Sequence, residues 1–143
     1  MRPRNHALRT GRCSMAGYCY LITAVTALRE PWFADYEHAR DAARAFYAQS
    51  VARHGQTLAY VVMPDHIHWL LQLEGELAEA VRIYKALVSR RAGQAVWQRG
   101  FHDRAVRREE DLLEAARYLV ANPLRARLVG RLGEYPYWNA VWL

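Results

Sequence analysis

Three features of this 143-residue chain predict an α+β fold built on one antiparallel sheet. The apolar pattern switches between strand-like runs such as Tyr18 to Thr26 and helical spacing such as Ala34 to His54. Two of the predicted strands meet at a Pro64-Asp65 corner. The elements follow the order β-α-β-β-α-β and then α, which is the split βαβ, ferredoxin-like arrangement. The expectation is an antiparallel sheet with two helices on one face, plus a C-terminal helix carrying Tyr118.

Each element has its own signal. Tyr18 to Thr26, YCYLITAVT, is rich in β-branched and aromatic residues and predicts the first strand, ended by Pro31-Trp32. Ala34 to His54 sets Tyr36, Ala39, Ala43, Phe46, Tyr47 and Val51 at helical spacing, with Gly55 as the expected C-cap. Thr57 to Met63 and His66 to Leu73 are the second and third strands. Gly75 opens a second helix whose buried stripe is Leu77, Val81, Tyr84 and Leu87 or Val88. A fourth strand is expected near Phe101 to Val106. The third helix starts near Glu109, where Glu109, Glu110 and Asp111 meet the positive end of the helix dipole, and ends near Asn122, before Pro123. Beyond it the sequence predicts a further helical turn or two and an aromatic tail with Tyr135, Tyr137, Trp138 and Trp142.

Length and composition limit the classes of protein. The chain is long enough to bury one core without staples, so residues 1–16 are read as a basic arm and 17–143 as one domain. Hydrophobic residues at 52% with 24% charged describe a folded globular protein. No run approaches the roughly 18 apolar residues of a membrane helix, and no secretory signal is expected. Cys13 and Cys19 lack metal-like spacing and read as free thiols of a reducing, cytoplasmic environment. Of the twenty Lys and Arg residues only Lys85 is not Arg, and the net charge is +6. Arginine's planar fork suits phosphates and guanine edges, so this balance leans toward nucleic acid.

The third strand carries the first half of a candidate site. Alternate side chains on a strand share a face, so His66 and His68 lie together while Ile67 and Trp69 point the other way. Two adjacent imidazoles make a bidentate metal platform, or a phosphate grip if both are protonated. A central strand is a rigid place for it, and its histidine face could stand opposite the helix-covered face. The third helix holds the second half. Its buried stripe is Leu112, Leu113, Ala116, Leu119 and Val120, which leaves Tyr118 about 150° and Asn122 about 110° from the arc's centre. Tyr118 and Asn122 are neighbours at i and i+4. A phenol needs assistance to act as a nucleophile at neutral pH. A divalent ion on His66 and His68 could polarise a phosphate for its attack, with the Asn122 carbonyl oxygen as a further ligand.

These residues, with YVVMPDHIHWLLQL, WQRGFHDRAVR and ARYLVANPLRARLV around them, resemble the REP-associated tyrosine transposases. That group belongs to the single-tyrosine, His-hydrophobic-His superfamily and is related to insertion-sequence transposases. The resemblance runs from about Gly11 to the C-terminus. It implies that His66 and His68 bind Mg²⁺ or Mn²⁺ and that Tyr118 is the nucleophile. The wider superfamily often has Gln as a third ligand four residues after the tyrosine; here that position is Asn122, with a shorter side chain. The implied activity is cleavage and rejoining of single-stranded hairpin DNA, from repetitive extragenic palindromes, through a 5′-phosphotyrosine link. By the same resemblance Arg9 and Arg12 contact the foot of the hairpin and Lys85, Arg90, Arg91, Arg104 and Arg108 meet phosphates. A monomer with Tyr118 acting in cis is expected, without a membrane partner.

Two other readings compete. One is a non-catalytic single-stranded DNA or RNA hairpin-binding module on the same frame, stacking bases on sheet aromatics. The other is a histidine-metal hydrolase using activated water, which leaves Tyr118 idle.

Overall fold

The computed structural model describes residues 18–142; Arg9, Arg12, Cys13 and the rest of the expected arm lie outside the described residues. The elements are β1 (Cys19–Val25), α1 (Tyr36–Ala45), α2 (Gln49–Ala52), β2 (Gly55–Met63), β3 (His66–Leu73), α3 (Leu77–Ala92), β4 (His102–Val106), α4 (Glu109–Val120), α5 (Asn122–Arg125) and β5 (Trp138–Ala140). The strands form one antiparallel sheet in the order β4-β1-β3-β2-β5. The first four strands have the expected split βαβ order, with β3 between β1 and β2. No described helix is long and apolar enough to cross a membrane.

Alternation along the strands divides the interior into two cores. Ile22, Tyr60, Val62, Ile67, Trp69 and Leu71 face α1 and α3, where Ala39, Ala42, Val81 and Tyr84 complete the packing. Phe46 stacks between Tyr60 and Tyr84, with ring centroids 4.6 and 4.4 Å away. On the other face Cys19, Ala59, Val61, Met63 and Leu70 pack against Ala115, Ala116, Leu119 and Val120 of α4. The helices α1 and α3 therefore share one face, as the sequence predicts, and the histidine face is opposite them. That face carries a helix of its own, so the sheet is the middle of three layers.

Several local expectations are corrected. The helix expected over residues 34–54 is two helices. Asp35 caps α1 by accepting from the Glu37 and His38 N–H groups, and the chain turns at Phe46-Tyr47-Ala48 before α2. The turn sends the Phe46 ring into the core, where the Thr57 hydroxyl donates to the Phe46 carbonyl at 3.3 Å. Tyr36 and Tyr47 are exposed rather than part of the buried stripe, which is instead Ala39, Ala42 and Ala45 followed by Phe46 and Val51. Gly55 begins β2 and is not a left-handed cap. A Cβ there would stand 2.4 Å from the Gln72 carbonyl oxygen, so the residue serves the close approach of β2 and β3. Within the aromatic tail, Trp138–Ala140 forms β5 on the edge of β2, with Ala140 opposite Ala59 and Trp138 opposite Val61.

Candidate active site

The corner between β2 and β3 is held from two sides. Thr26, fully buried, donates to the Asp65 carbonyl through its N–H at 3.0 Å and its hydroxyl at 3.1 Å. The Phe33 N–H donates to the Pro64 carbonyl at 2.9 Å. This anchoring fixes where β3 starts, and β3 starts with His66. In the ladder Val25 and Met63 flank His66, while Thr23 and Val61 flank His68. The two imidazoles share a face with ring centroids 4.9 Å apart and planes at 79°.

Each ring has one nitrogen occupied by a protein partner. His66 Nδ1 lies 2.8 Å from Asp65 Oδ1. A carboxylate only accepts, so Nδ1 carries a proton and Nε2 is the nitrogen left for a ligand. The other Asp65 oxygen is 3.6 Å from Arg29 Nε. His68 Nδ1 lies 2.9 Å from the Thr23 hydroxyl. Such contacts orient a metal-binding imidazole and fix its tautomer. Burial, helped by the charges of His66 and Arg125, pushes the His68 pKa down to about 4. His68 is therefore neutral at neutral pH, suited to a metal and unsuited to a grip made of two imidazolium ions.

The helix α4 places Tyr118 over the same side of the sheet. Ala115, Ala116, Leu119 and Val120 bury themselves against Val61, Met63 and Leu70, which leaves Tyr118 on the flank at 59% exposure. Arg125 of α5 covers its ring, with the guanidinium carbon 3.8 Å from the ring centroid. Asn122 begins α5 just ahead of Pro123. Its amide nitrogen is buried with no hydrogen-bond partner. An amide can present its oxygen in place of its nitrogen by a half-turn, so Asn122 has one buried polar end free for a ligand. Among the described residues no three His, Cys, Asp or Glu side chains gather in metal-binding geometry. Among the described residues, a third side-chain ligand beside His66 and His68 would thus be a group other than these four types, and the Asn122 amide is such a group.

The expected DNA-contacting cations are dispersed. Arg104 shares the histidine face of the sheet, opposite Leu21, and is exposed. Arg108 precedes α4 and is exposed. Lys85, Arg90 and Arg91 are on α3, the helix packed against the opposite face. Lys85 donates to the carbonyls of Gln98 and Gly100 at 3.0 and 2.6 Å, tying α3 to the loop before β4. Among the described residues, neither sheet face offers an open stacking platform for bases. Tyr20, Tyr60 and Trp69 are buried under α1 and α3, and α4 lies across the histidine face.

Three residues of the site were not among those the sequence singled out. Asp65 had a signal, since it directly precedes His66 at the turn. Arg125 had a weaker one, lying two helical turns beyond Tyr118. Thr23 had none, because only strand register puts it beside His68.

No family model matches the chain. A curated protein of Haemophilus influenzae, provisionally named a REP-associated tyrosine transposase, is 28% identical over 113 residues, covering 66% of this chain. The match spans 64% of that relative's length. A solved structure of a REP-associated tyrosine transposase bound to a REP hairpin aligns with a TM-score of 0.74 at 21% identity, covering 96% of this chain and 82% of that one. A provisionally identified transposase of Deinococcus radiodurans aligns at 0.52 and 21% identity, covering 76% of this chain and 93% of that one. In sequence and in fold, the chain resembles the REP-associated tyrosine transposases.

Proposed function

We propose that the protein is a single-stranded DNA endonuclease and strand transferase acting on hairpins of repetitive extragenic palindromes. The observation that supports this most is the packing of the Tyr118 helix on the histidine face of the sheet, since it puts a potential nucleophile and two imidazoles, that of His68 uncharged, on one side of the molecule. The relative bound to a REP hairpin supports the substrate class. The buried aromatics of the sheet weigh against the base-stacking module.

His66, His68 and Asn122 would hold Mg²⁺ or Mn²⁺, and two imidazoles with an amide oxygen form a neutral donor set that either ion accepts. When bound, the ion supplies Lewis-acid polarisation of the scissile phosphate. Asp65 and Thr23 keep each Nδ1 engaged, so that both Nε2 atoms face the ligand. Tyr118 Oη attacks phosphorus and the bond from phosphorus to the 3′-oxygen breaks. The phenol proton ends on the departing 3′-hydroxyl, and the 5′ end stays on Tyr118. Attack by another 3′-hydroxyl reverses these steps, so bond energy is conserved and no nucleotide cofactor is required. The chain acts as a monomer, with Tyr118 and both histidines from one copy.

The test incubates the protein with a single-stranded hairpin oligonucleotide and Mn²⁺, denatures and digests it, and seeks a nucleotide adduct by mass spectrometry. An adduct on Tyr118, absent without metal and absent in Tyr118→Phe, is expected. Normal cleavage by Tyr118→Phe would favour metal-activated water instead.

A further inference from the structure

Arg125 makes more contacts with the Tyr118 neighbourhood than a helix cap requires. It is two helical turns beyond Tyr118, and the restart of the helix at Pro123 brings it back over that flank. Its Nη2 donates to the Tyr118 carbonyl at 2.7 Å. That bond alone is what an arginine at a helix C-terminus ordinarily makes. The guanidinium also lies over the Tyr118 ring at 3.8 Å, close for a cation-π contact.

The charge is also uncompensated. Arg29, Arg82 and Arg131 pair with Asp65, Glu79 and Glu134 respectively, whereas among the described residues no carboxylate pairs with Arg125. Arg125 is exposed, and a guanidinium has five N–H donors, of which the carbonyl takes one. A cation held against a tyrosine, with donors left over, is suited to an incoming phosphate. Arginine's planar fork matches phosphate oxygens while its face stays on the ring.

We propose that Arg125 is a further catalytic residue: its guanidinium holds the Tyr118 ring at the histidine face and receives the phosphate that the phenol attacks, an inference resting on the function proposed above. During attack the bond from Tyr118 Oη to phosphorus forms and the bond to the 3′-oxygen breaks. Arg125 offsets charge on the non-bridging oxygens and exchanges no proton.

Two measurements test this. In ¹⁵N-arginine-labelled Tyr118→Phe protein, which retains the ring, the Arg125 Nε–H resonance should be shifted upfield by that ring. It should move again when a single-stranded hairpin oligonucleotide is added, and the upfield shift should vanish in Tyr118→Leu. On the Tyr118 background with Mn²⁺, Arg125→Gln should slow single-turnover cleavage about 100-fold or more, the scale of losing one transition-state donor. Its hairpin Kd should change by less than about threefold, since one phosphate contact among many is removed. Arg125→Lys should recover part of the rate through its charge, without the planar fork. A resonance lacking the ring shift or unmoved by the hairpin overturns the proposal, as does wild-type cleavage by folded Arg125→Gln. A plain helix cap would give that last result with a lowered melting temperature. Should the unsubstituted protein form no Tyr118 adduct while the Arg125 resonance responds as expected, the cleavage reading fails and the Arg125–phosphate contact stands.

Discussion

Titration of His68 gives a prediction with a magnitude and a sign. Its pKa falls from 6.5 to about 4 on folding, chiefly through burial, with added repulsion from His66 and Arg125. The folded state therefore binds fewer protons at this ring than the unfolded chain does. The stabilising contribution is complete above pH 6.5, declines as pH drops toward 4, and is constant below that. Evaluated at pH 5.0 against pH 7.5, these two pKa values give a loss of about 2 kcal/mol from this one ring, within a ceiling of about 3 kcal/mol at full titration. Carboxylates also titrate in this range, so the measured quantity is a difference between proteins. Urea unfolding in EDTA, followed by tryptophan fluorescence, would be compared for the unsubstituted protein and His68→Gln at both pH values. The amide cannot titrate and still offers a partner to the Thr23 hydroxyl. The unsubstituted protein should lose about 2 kcal/mol more than the variant between pH 7.5 and 5.0. Curves that stay parallel within about 0.5 kcal/mol would refute the assignment of a buried, neutral His68.

Three further outcomes are expected. Tyr118→Phe should keep hairpin binding and change stability by less than about 0.5 kcal/mol, because the ring is mostly exposed, yet yield no covalent adduct; Tyr60→Phe, in the opposite core, should cleave normally, and loss of cleavage there as well would remove the specificity of the result. Thr23→Val and Asp65→Asn should each weaken Mn²⁺ affinity about 10- to 100-fold by releasing Nδ1 of His68 or His66, read by calorimetry without DNA; affinity unchanged in both would separate these partners from metal binding. Gly55→Ala should destabilise by about 1–3 kcal/mol, since its Cβ meets the backbone oxygen of Gln72 at 2.4 Å, and unaltered chemical denaturation would show that β2 and β3 separate there without cost.

The sequence by itself determined the order of the first four strands, the shared face of His66 and His68, and the amphipathic helix that leaves Tyr118 off its buried stripe. Those properties follow from local periodicity: two residues per repeat in a strand and 3.6 in a helix. Its reading weakened where the outcome depended on a distant surface. The helix over residues 34–54 broke because Phe46 reached Tyr60 and Tyr84, rings that helical periodicity does not see. Strand β5 escaped notice because three residues, Trp138–Ala140, carry too little alternation and were specified by the open edge of β2. The same distinction runs through the candidate site. Adjacency in sequence could have offered Asp65 for His66, whereas Thr23 comes to His68 through the register of β1 against β3. Most of all, the sequence showed that Tyr118 lay outside a helical stripe but not which sheet face that stripe would cover. The tertiary structure decided it: α1 and α3 occupy one face, and the apolar patch of Val61, Met63 and Leu70 beside the histidines is left for α4 to bury.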